Sequence, residues 1–308
     1  MEIFDWFLTL FKYIASTFPS TAAQGMIWGI MAIGVFITFK ILDIADLTVD
    51  GSIVTGAVVC VVMYNGGSNI WVAILCATLA GFLCGLVTGL LHTLLGIPPI
   101  LAGILTQQTL WTVNLVVAKK PSIAYPINAK RLITPLDAVN SDLILLGFVV
   151  CVIGILYWFF GTELGASLRA TGNNLDMSHA QGINTKFTKV LGLMISNGIV
   201  ALSGALLSQY SGSYDINMGR GAIVIGLAAV VVGEAIVSKI STGFIPRLIG
   251  VVLGGVIYFF IYQLVLFFEI DANYLKMLSA AIIAIFLGVP YLKKKYRKKA
   301  VKAVSDNA

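Results

Sequence analysis

Three carboxylates, Asp43, Asp46 and Asp50, stand close together in a chain that is otherwise apolar, and the stretch that follows them, 51–118, contains no Asp, Glu, Lys or Arg. Residues 46–56 read DLTVDGSIVTG. Two chemistries suit carboxylates in such a place. An Asp or Ser at a helix start accepts hydrogen bonds from free N–H groups and complements the positive end of the helix dipole. An ionisable group among apolar spans can instead mark the path of a polar solute. On that second reading Asp46, Thr48, Asp50, Gly51 and Ser52 line the path. Asp46 or Asp50 then meets an ammonium group, and exposed backbone N–H groups meet a carboxylate. Asp43 is expected at the membrane interface, paired with Lys40.

Uncharged polar residues also punctuate the apolar runs: Thr106, Gln107, Gln108 and Asn114 in one, Ser196, Asn197 and Ser203 in another. Interhelical hydrogen bonding would account for all of them. If the path is as polar as an amino acid requires, one of Gln107 and Gln108, together with Asn197, is a lining residue. The two glutamines are adjacent, point about 100° apart on a helix, and are not expected to face one pore together. Glu234, in VVVGEAIVSK, falls near the end of a span, and an ion pair with Lys239 that supports or gates the helix is the favoured reading.

Other chemistries are missing. There is no G-x-x-x-x-G-K-[ST] phosphate loop, no H-E-x-x-H, no G-x-S-x-G, and His92 and His179 are isolated. No metal site is expected, and no catalytic pair lies within the spans. The four cysteines (Cys60, Cys76, Cys84 and Cys151) all sit in apolar runs and read as packing residues.

The elements that must position these residues are membrane helices. The chain is 58% hydrophobic and only 11% charged, which leaves too little polar surface for a soluble globule. The apolar runs are continuous rather than alternating, so helices are favoured over a barrel. The fold class is therefore all-α polytopic, with about nine spans (8–10) near 22–39, 52–64, 71–95, 98–118, 143–160, 187–207, 221–238, 247–268 and 274–290. The second is short and implies at least one broken helix. Residues 1–20, which lack a basic n-region and a cleavage site, are expected as an amphipathic interfacial helix rather than a signal peptide. Residues 21–290 form the membrane domain and 291–308 a basic tail.

Seven of the twenty basic residues lie in LKKKYRKKAVK at the C-terminus, where anionic lipid and the positive-inside bias place them in the cytoplasm. Topology anchoring is favoured over nucleic-acid binding. Counting back puts 40–50, 161–186 and 239–246 on the same side. The cationic 119–131 loop falls outside and runs against the bias.

Two patterns concern packing. Gly81, Gly85 and Gly89 recur at four-residue spacing and open one helix face to close approach by a neighbour. DLTVDGSIVTG is also echoed by DINMGRGAIVIG at 215–226, a weak sign of an internal repeat with interrupted helices in matching places.

The polar segment 161–186, GTELGASLRATGNNLDMSHAQGINTK, carries a short helix with Thr162 as N-cap, Glu163 in its first turn and Gly172 at its end. Leu175 and Met177 make NLDMSHAQG a candidate docking surface. The run Arg169, Ala170, Gly172, Asn173, Asn174, then Ala180, Gly182, Ile183, and then Ser203-Gly204-Ala205, resembles the permeases of binding-protein-dependent ABC importers of the branched-chain amino acid and ribose group. FKILDIADLTVDGSIVTGA further resembles the tryptophan/tyrosine import branch, and the likeness runs over roughly 22–290.

The resemblance implies the ABC importer permease fold, with 161–186 as the loop that couples to a cytoplasmic ATPase. Glu163, Gly165, Arg169, Gly172, Asn173, Asn174, Ala180 and Gly182 are its coupling residues. Arg169 would pair with an acid of the ATPase or serve as a positive-inside anchor, and Gly172 and Gly182 would permit turns. It also implies partners: two copies of the ATPase holding ATP-Mg, an extracellular or periplasmic binding protein, and a second permease copy in a homodimer. The chain itself binds no cofactor and no nucleic acid, contacts membrane lipid and is not an enzyme. It is expected in a bacterial plasma membrane with the C-terminus cytoplasmic. The cargo is a small polar solute, an aromatic or other amino acid. A secondary transporter driven by an ion gradient is the alternative, because broken helices and clustered Asp residues suit it as well.

Overall fold

The computed structural model describes residues 2–237 and 243–268, together with Met277 and Ala284. The expected ninth span at 274–290 and the basic tail at 291–308 lie outside the described residues. The chain forms two compact units, the larger comprising Ser16–Phe260 and the smaller drawn from Met1–Ala15 and Ile261–Ala308. Within the smaller unit the Gln263 amide donates to the Tyr13 hydroxyl at 2.8 Å.

Ten α-helices follow in order: α1 (Glu2–Phe36), α2 (Val49–Asn65), α3 (Ile70–Thr93), α4 (Pro99–Ala118), α5 (Ala138–Gly161), α6 (Glu163–Asn173), α7 (Leu175–Ala180), α8 (Thr185–Ser211), α9 (Ala222–Val237) and α10 (Phe244–Phe267). Six stretches are long and apolar enough to cross a membrane, among them Ser16–Ile41 and Thr185–Ser211, while α2 and α9 are shorter apolar helices. No helix boundary falls at residue 20. α1 passes through Pro19, and the Ser20 and Thr21 hydroxyls both donate to the Thr17 carbonyl, at 2.9 Å, in the turn the proline disturbs.

α8 is the central post. Its Ser196 and Ser203 hydroxyls donate to the α1 carbonyls of Gly34 (2.8 Å) and Ile27 (2.7 Å). Its other sides meet α2 and α3 backbone to backbone. A Cβ on Gly81 or Gly85 of α3 would overlap the α8 carbonyls of Asn197 and Leu193, and one on Gly89 would press on the Val190 Cα. Gly56 of α2 meets the Ala201 carbonyl, and Gly204 of α8 meets the Ile53 carbonyl of α2. The glycine stripe is therefore a docking seam, and it works because lipid-exposed helices associate through close packing rather than through a hydrophobic drive. α10 uses the same device, with Gly254 against Ala229 of α9 and Val256 against Gly25 of α1.

α1 ends in a π-helical turn, Ile37–Ile41, closed by the Leu42 N–H on the Ile37 carbonyl at 3.0 Å. Asp43 then adopts φ 55°, and the chain runs non-helically to Thr48 before α2 begins. A two-stranded antiparallel ribbon, β1 (Ser122–Ala124) with β2 (Ser213–Asp215), joins the loops that follow α4 and α8, pairing Ser122 with Asp215 and Ala124 with Ser213. Arg131 extends from the first loop to the C-terminal end of α8, donating to the Gln209 carbonyl at 2.9 Å, where a cation suits the dipole.

The seam predicts an asymmetry among glycines. Gly85→Leu and Gly204→Val should each lower stability by at least about 1–3 kcal/mol, the ordinary overpacking cost, because the obstacle is backbone. Gly147→Ala and Gly154→Ala on α5, where nothing lies within 4 Å, should leave the melting temperature of the purified protein unchanged or raised. Equal losses at the two classes of site would contradict this account.

Candidate functional site

α2 starts beside the middle of α8. Asn197, twelve residues into α8 from Thr185, lies about 18 Å along that helix, so the break at 42–48 is deep in the protein. Backbone groups at such a depth must find partners within the chain. Asp46 supplies them. It is 2% exposed, its Oδ1 accepts from the Thr48 N–H at 2.9 Å, and its Oδ2 accepts from the Asn197 carboxamide at 2.7 Å. The Ser52 hydroxyl donates to Asn197 Oδ1 at 2.6 Å, and the Thr48 and Thr88 hydroxyls share a bond of 2.8 Å. Asp46, Thr48, Ser52 and Asn197 thus form one buried polar knot that fastens α2 to α3 and α8.

Asp50 does something different. Its carboxylate accepts from the backbone N–H groups of Gly221 (3.0 Å) and Ile223 (2.9 Å), at the start of α9. It is a helix cap, as its type and position suggested, but the helix it caps lies 171 residues further along the chain. The echoed segments are therefore bound to each other. They also share a local turn, since the Asn217 N–H donates to Asp215 Oδ1 at 2.8 Å in the same i to i+2 pattern as Thr48 and Asp46. The copies diverge afterwards: α2 begins three residues after its Asp, α9 seven residues after.

Asp50 and Gly51 open onto a cavity of about 270 Å³ that Gln107, Gln108, Trp111, Asn114 and Arg220 also line. Both glutamines reach it, because the cavity is open along the side of α4 and takes in neighbouring directions of that helix. Gly51 is glycine for a steric reason, as a Cβ there would press on Leu110 at 3.0 Å. Asp46, Thr48, Ser52 and Asn197 are not among the lining residues. Trp111 and Arg220 were not anticipated. Trp111 and Asn114 follow Gln107 at four- and seven-residue spacing, a helical-face signal that was available, and Arg220 is the one cation within the echo. In the loops of the same region, the phenols of Tyr125 and Tyr214 remain protonated. Burial raises both, Tyr214 to about 12 with the neighbouring Asp215 contributing.

At the opposite end of α9, Glu234 pairs with Lys40 of the π turn at 2.8 Å. Lys40 therefore engages Glu234 and not Asp43, which the left-handed turn carries elsewhere. Lys239, the expected partner of Glu234, lies outside the described residues. A second cavity, of about 560 Å³, is lined here by Lys40, Asp43, Arg169, Asn173, Glu234 and Arg247.

The segment 161–186 folds by successive caps. Thr162 Oγ1 accepts from the Gly165 N–H at 3.4 Å to start α6, Asn174 Oδ1 from Met177 at 2.9 Å to start α7, and Asn184 Oδ1 from Phe187 at 3.1 Å to start α8. Glu163 occupies the first turn of α6 and Ala180 the end of α7. Gly172 does not end α6, which continues to Asn173. It is a contact glycine, since a Cβ there would overlap the Ile41 carbonyl of the π turn. Gly165 packs likewise on the Phe159 carbonyl, while Gly182 has φ 81° and supplies the turn expected of it. Arg169 donates to the Phe160 carbonyl at 3.0 Å, placing a cation at the C-terminal end of α5. No group of metal-ligating side chains occurs among the described residues.

Among the described residues, six long apolar helices, two shorter ones and a break bonded within the bundle define an integral, polytopic α-helical membrane protein. Residues 18–287 match the profile of the family described as branched-chain amino acid transport system / permease component, and the chain belongs to that family. It is 37% identical over 290 residues to the tyrosine transport system permease protein of Clostridioides difficile, covering 92% of this chain and 95% of that one. An uncharacterized protein of Rickettsia prowazekii is 32% identical over 86% of this chain and 94% of its own length. The autoinducer 2 import system permease protein LsrC of Salmonella typhimurium is 27% identical over 70% of this chain and 62% of its own. No solved structure gives a significant match.

The two aspartates should respond differently to truncation. Asp50→Ala removes a half-buried helix cap and should cost about 0.5–2 kcal/mol. Asp46→Ala leaves the Thr48 N–H and one of the two Asn197 amide hydrogens buried without an acceptor, the Asn197 nitrogen keeping its bond to the Leu193 carbonyl, at about 1–3 kcal/mol per group, and should be the more damaging in thermal unfolding. An Asp46/Asn197 double-mutant cycle should show strong coupling; additivity would remove the knot from the account.

Proposed function

We propose that this chain is the membrane-spanning permease subunit of an ATP-driven importer in a bacterial plasma membrane, passing an aromatic or related amino acid inward. The observation that carries the reading is similarity over almost the whole chain to a permease whose name specifies tyrosine transport. In this reading an external binding protein delivers the solute, two copies of a cytoplasmic ATPase hydrolyse ATP-Mg, and a second copy of the chain completes a homodimeric path. The basic tail lies in the cytoplasm.

The geometry of 161–186 supports the ATPase partnership. α6 and α7 expose Leu164, Leu175 and Met177 in an otherwise polar segment, as a helix seated in a partner's groove would. Their inner faces are fixed. Leu168 is fully buried, Gly172 abuts the π turn, and the Thr171 and Thr188 hydroxyls bond at 2.9 Å. Such an element transmits a push as a rigid body. Glu163, Arg169, Asn173 and Asn174 edge the same surface. Hydrolysis belongs to the partner, and this chain contributes no cofactor site.

Reconstitution with the cognate ATPase and binding protein in proteoliposomes distinguishes the drive. Tyrosine uptake should require ATP inside or outside according to ATPase orientation, should vanish with a hydrolysis-deficient ATPase, and should persist when an ionophore collapses ion gradients. Uptake that an ionophore abolishes and ATP does not support would identify a secondary transporter instead.

A further inference from the structure

We propose that the cavity between α2, α4 and the start of α9 is a binding site of the permease's own for a zwitterionic aromatic amino acid, in which Asp50 receives the ammonium, Arg220 the carboxylate and Trp111 the ring. The inference rests on the amino-acid import reading and adds that the membrane subunit itself selects its cargo.

Three features carry it. Asp50 and Arg220 line the same cavity without pairing with each other, and the Arg220 side chain makes no hydrogen bond or ion pair with any described residue. The Asp50 carboxylate accepts from the backbone N–H groups of Gly221, Ala222 and Ile223 and still retains acceptor capacity, since two carboxylate oxygens offer about four lone-pair sites. Arg220 lies in the exposed turn that leads into α9, so its guanidinium is free to meet an anionic group that enters the cavity. Second, Asn114 is 1% exposed and lines the cavity, yet neither its carboxamide nitrogen nor its oxygen has a hydrogen-bond partner among the described residues. A buried carboxamide left unpaired costs about 1–3 kcal/mol per group, which a ligand with both donors and acceptors recovers. Third, Trp111 stands 42% exposed at the cavity, one helical turn from Gln107 and Asn114, and offers an indole for stacking.

The combination restricts ligand chemistry. An amine without a carboxylate would face Arg220, and an anion without an ammonium would face Asp50; each meets a like charge in a site of low dielectric. A neutral polyol leaves both charges unanswered. A zwitterion answers both, and Gln107, Gln108 and Asn114 supply further hydrogen bonds.

The test uses the purified full-length permease in lipid nanodiscs, without ATPase or binding protein, titrated calorimetrically with L-tyrosine, tyramine and 3-(4-hydroxyphenyl)propionate. L-tyrosine should bind saturably, and the two analogues, each lacking one charge, about tenfold or more weaker. Arg220→Gln should lose about tenfold for tyrosine while tightening tyramine, whose like-charge repulsion it removes, and Trp111→Ala should weaken tyrosine more than L-alanine. Since the Arg220 side chain makes no bond with any described residue, its variant should keep the wild-type melting temperature, which is measured alongside. Absence of saturable tyrosine binding, or binding that both variants leave within about twofold, overturns the proposal. ATP-driven tyrosine uptake by the same purified permease, reconstituted with the ATPase and binding protein in proteoliposomes, separates the outcomes. Uptake without binding removes this site and leaves the importer, whereas binding without ATP-dependent uptake removes the importer reading and leaves an amino-acid site.

Discussion

Everything in this chain accommodates a helix that begins in the wrong place. α2 starts beside the midpoint of α8, where the unsatisfied N–H groups of a helix start would ordinarily face hydrocarbon. The Asp46 carboxyl answers part of this by taking the N–H of Thr48, the residue before the helix, on one oxygen and the Asn197 amide on the other, so the broken end is bolted to the central helix although no side chain among the described residues caps α2 itself. The glycine seams on either side of α8 are what bring α2 and α3 close enough for side chains as short as Asp, Ser and Thr to meet across helices. Packing and polarity are thus one constraint. A larger residue at Gly56 or Gly85 would separate the backbones, and the knot would open with them.

Capping between the echoed segments extends the same solution. α9 also starts within the protein, and the residue that caps it comes from the first turn of α2. The exchange places a carboxylate at the wall of a cavity whose opposite chemistry, Arg220, stands immediately before the amides that carboxylate holds. Polar equipment needed to end helices in an apolar medium has been gathered where a polar solute would pass.

Much of this was legible in the residues. Continuous apolar runs marked seven of the described helices to within about five residues and the apolar part of α1, whose helix starts at Glu2 rather than near residue 22, because length and hydropathy determine a span almost alone. Thr162 declared the start of α6, and Gly81, Gly85 and Gly89 declared a seam, since both signals are local. What the sequence could not reveal was pairing at long range. That Asp50 caps α9 rather than its own helix, and that Glu234 pairs with Lys40, depend on how helices 171 and 194 positions apart are set side by side. Gly172 was misread for the same reason: the carbonyl of Ile41 occupies the space of its missing side chain, and nothing nearby in sequence announces that.

α9 joins the two ends of this arrangement. Its sixteen residues span about 24 Å. At the start it is held by Asp50 in the cavity wall; near the end Glu234 is held by Lys40 in the π turn. The next residue of that turn, Ile41, is the one against which Gly172 of α6 rests. A π turn is a place where helical hydrogen bonding has already been loosened, so it yields before the helices on either side do. The Lys40–Glu234 pair is partly exposed, and a pair of that kind is worth little as stability. Its value lies in position, because it ties the π turn to the helix whose other end holds the cavity. The ends of α9 are fixed by polar bonds and the middle by close glycine contacts with α1 and α10, which leaves the helix little room to bend between them. α6, through the π turn, and the cavity, through Asp50, thus meet opposite ends of one helix.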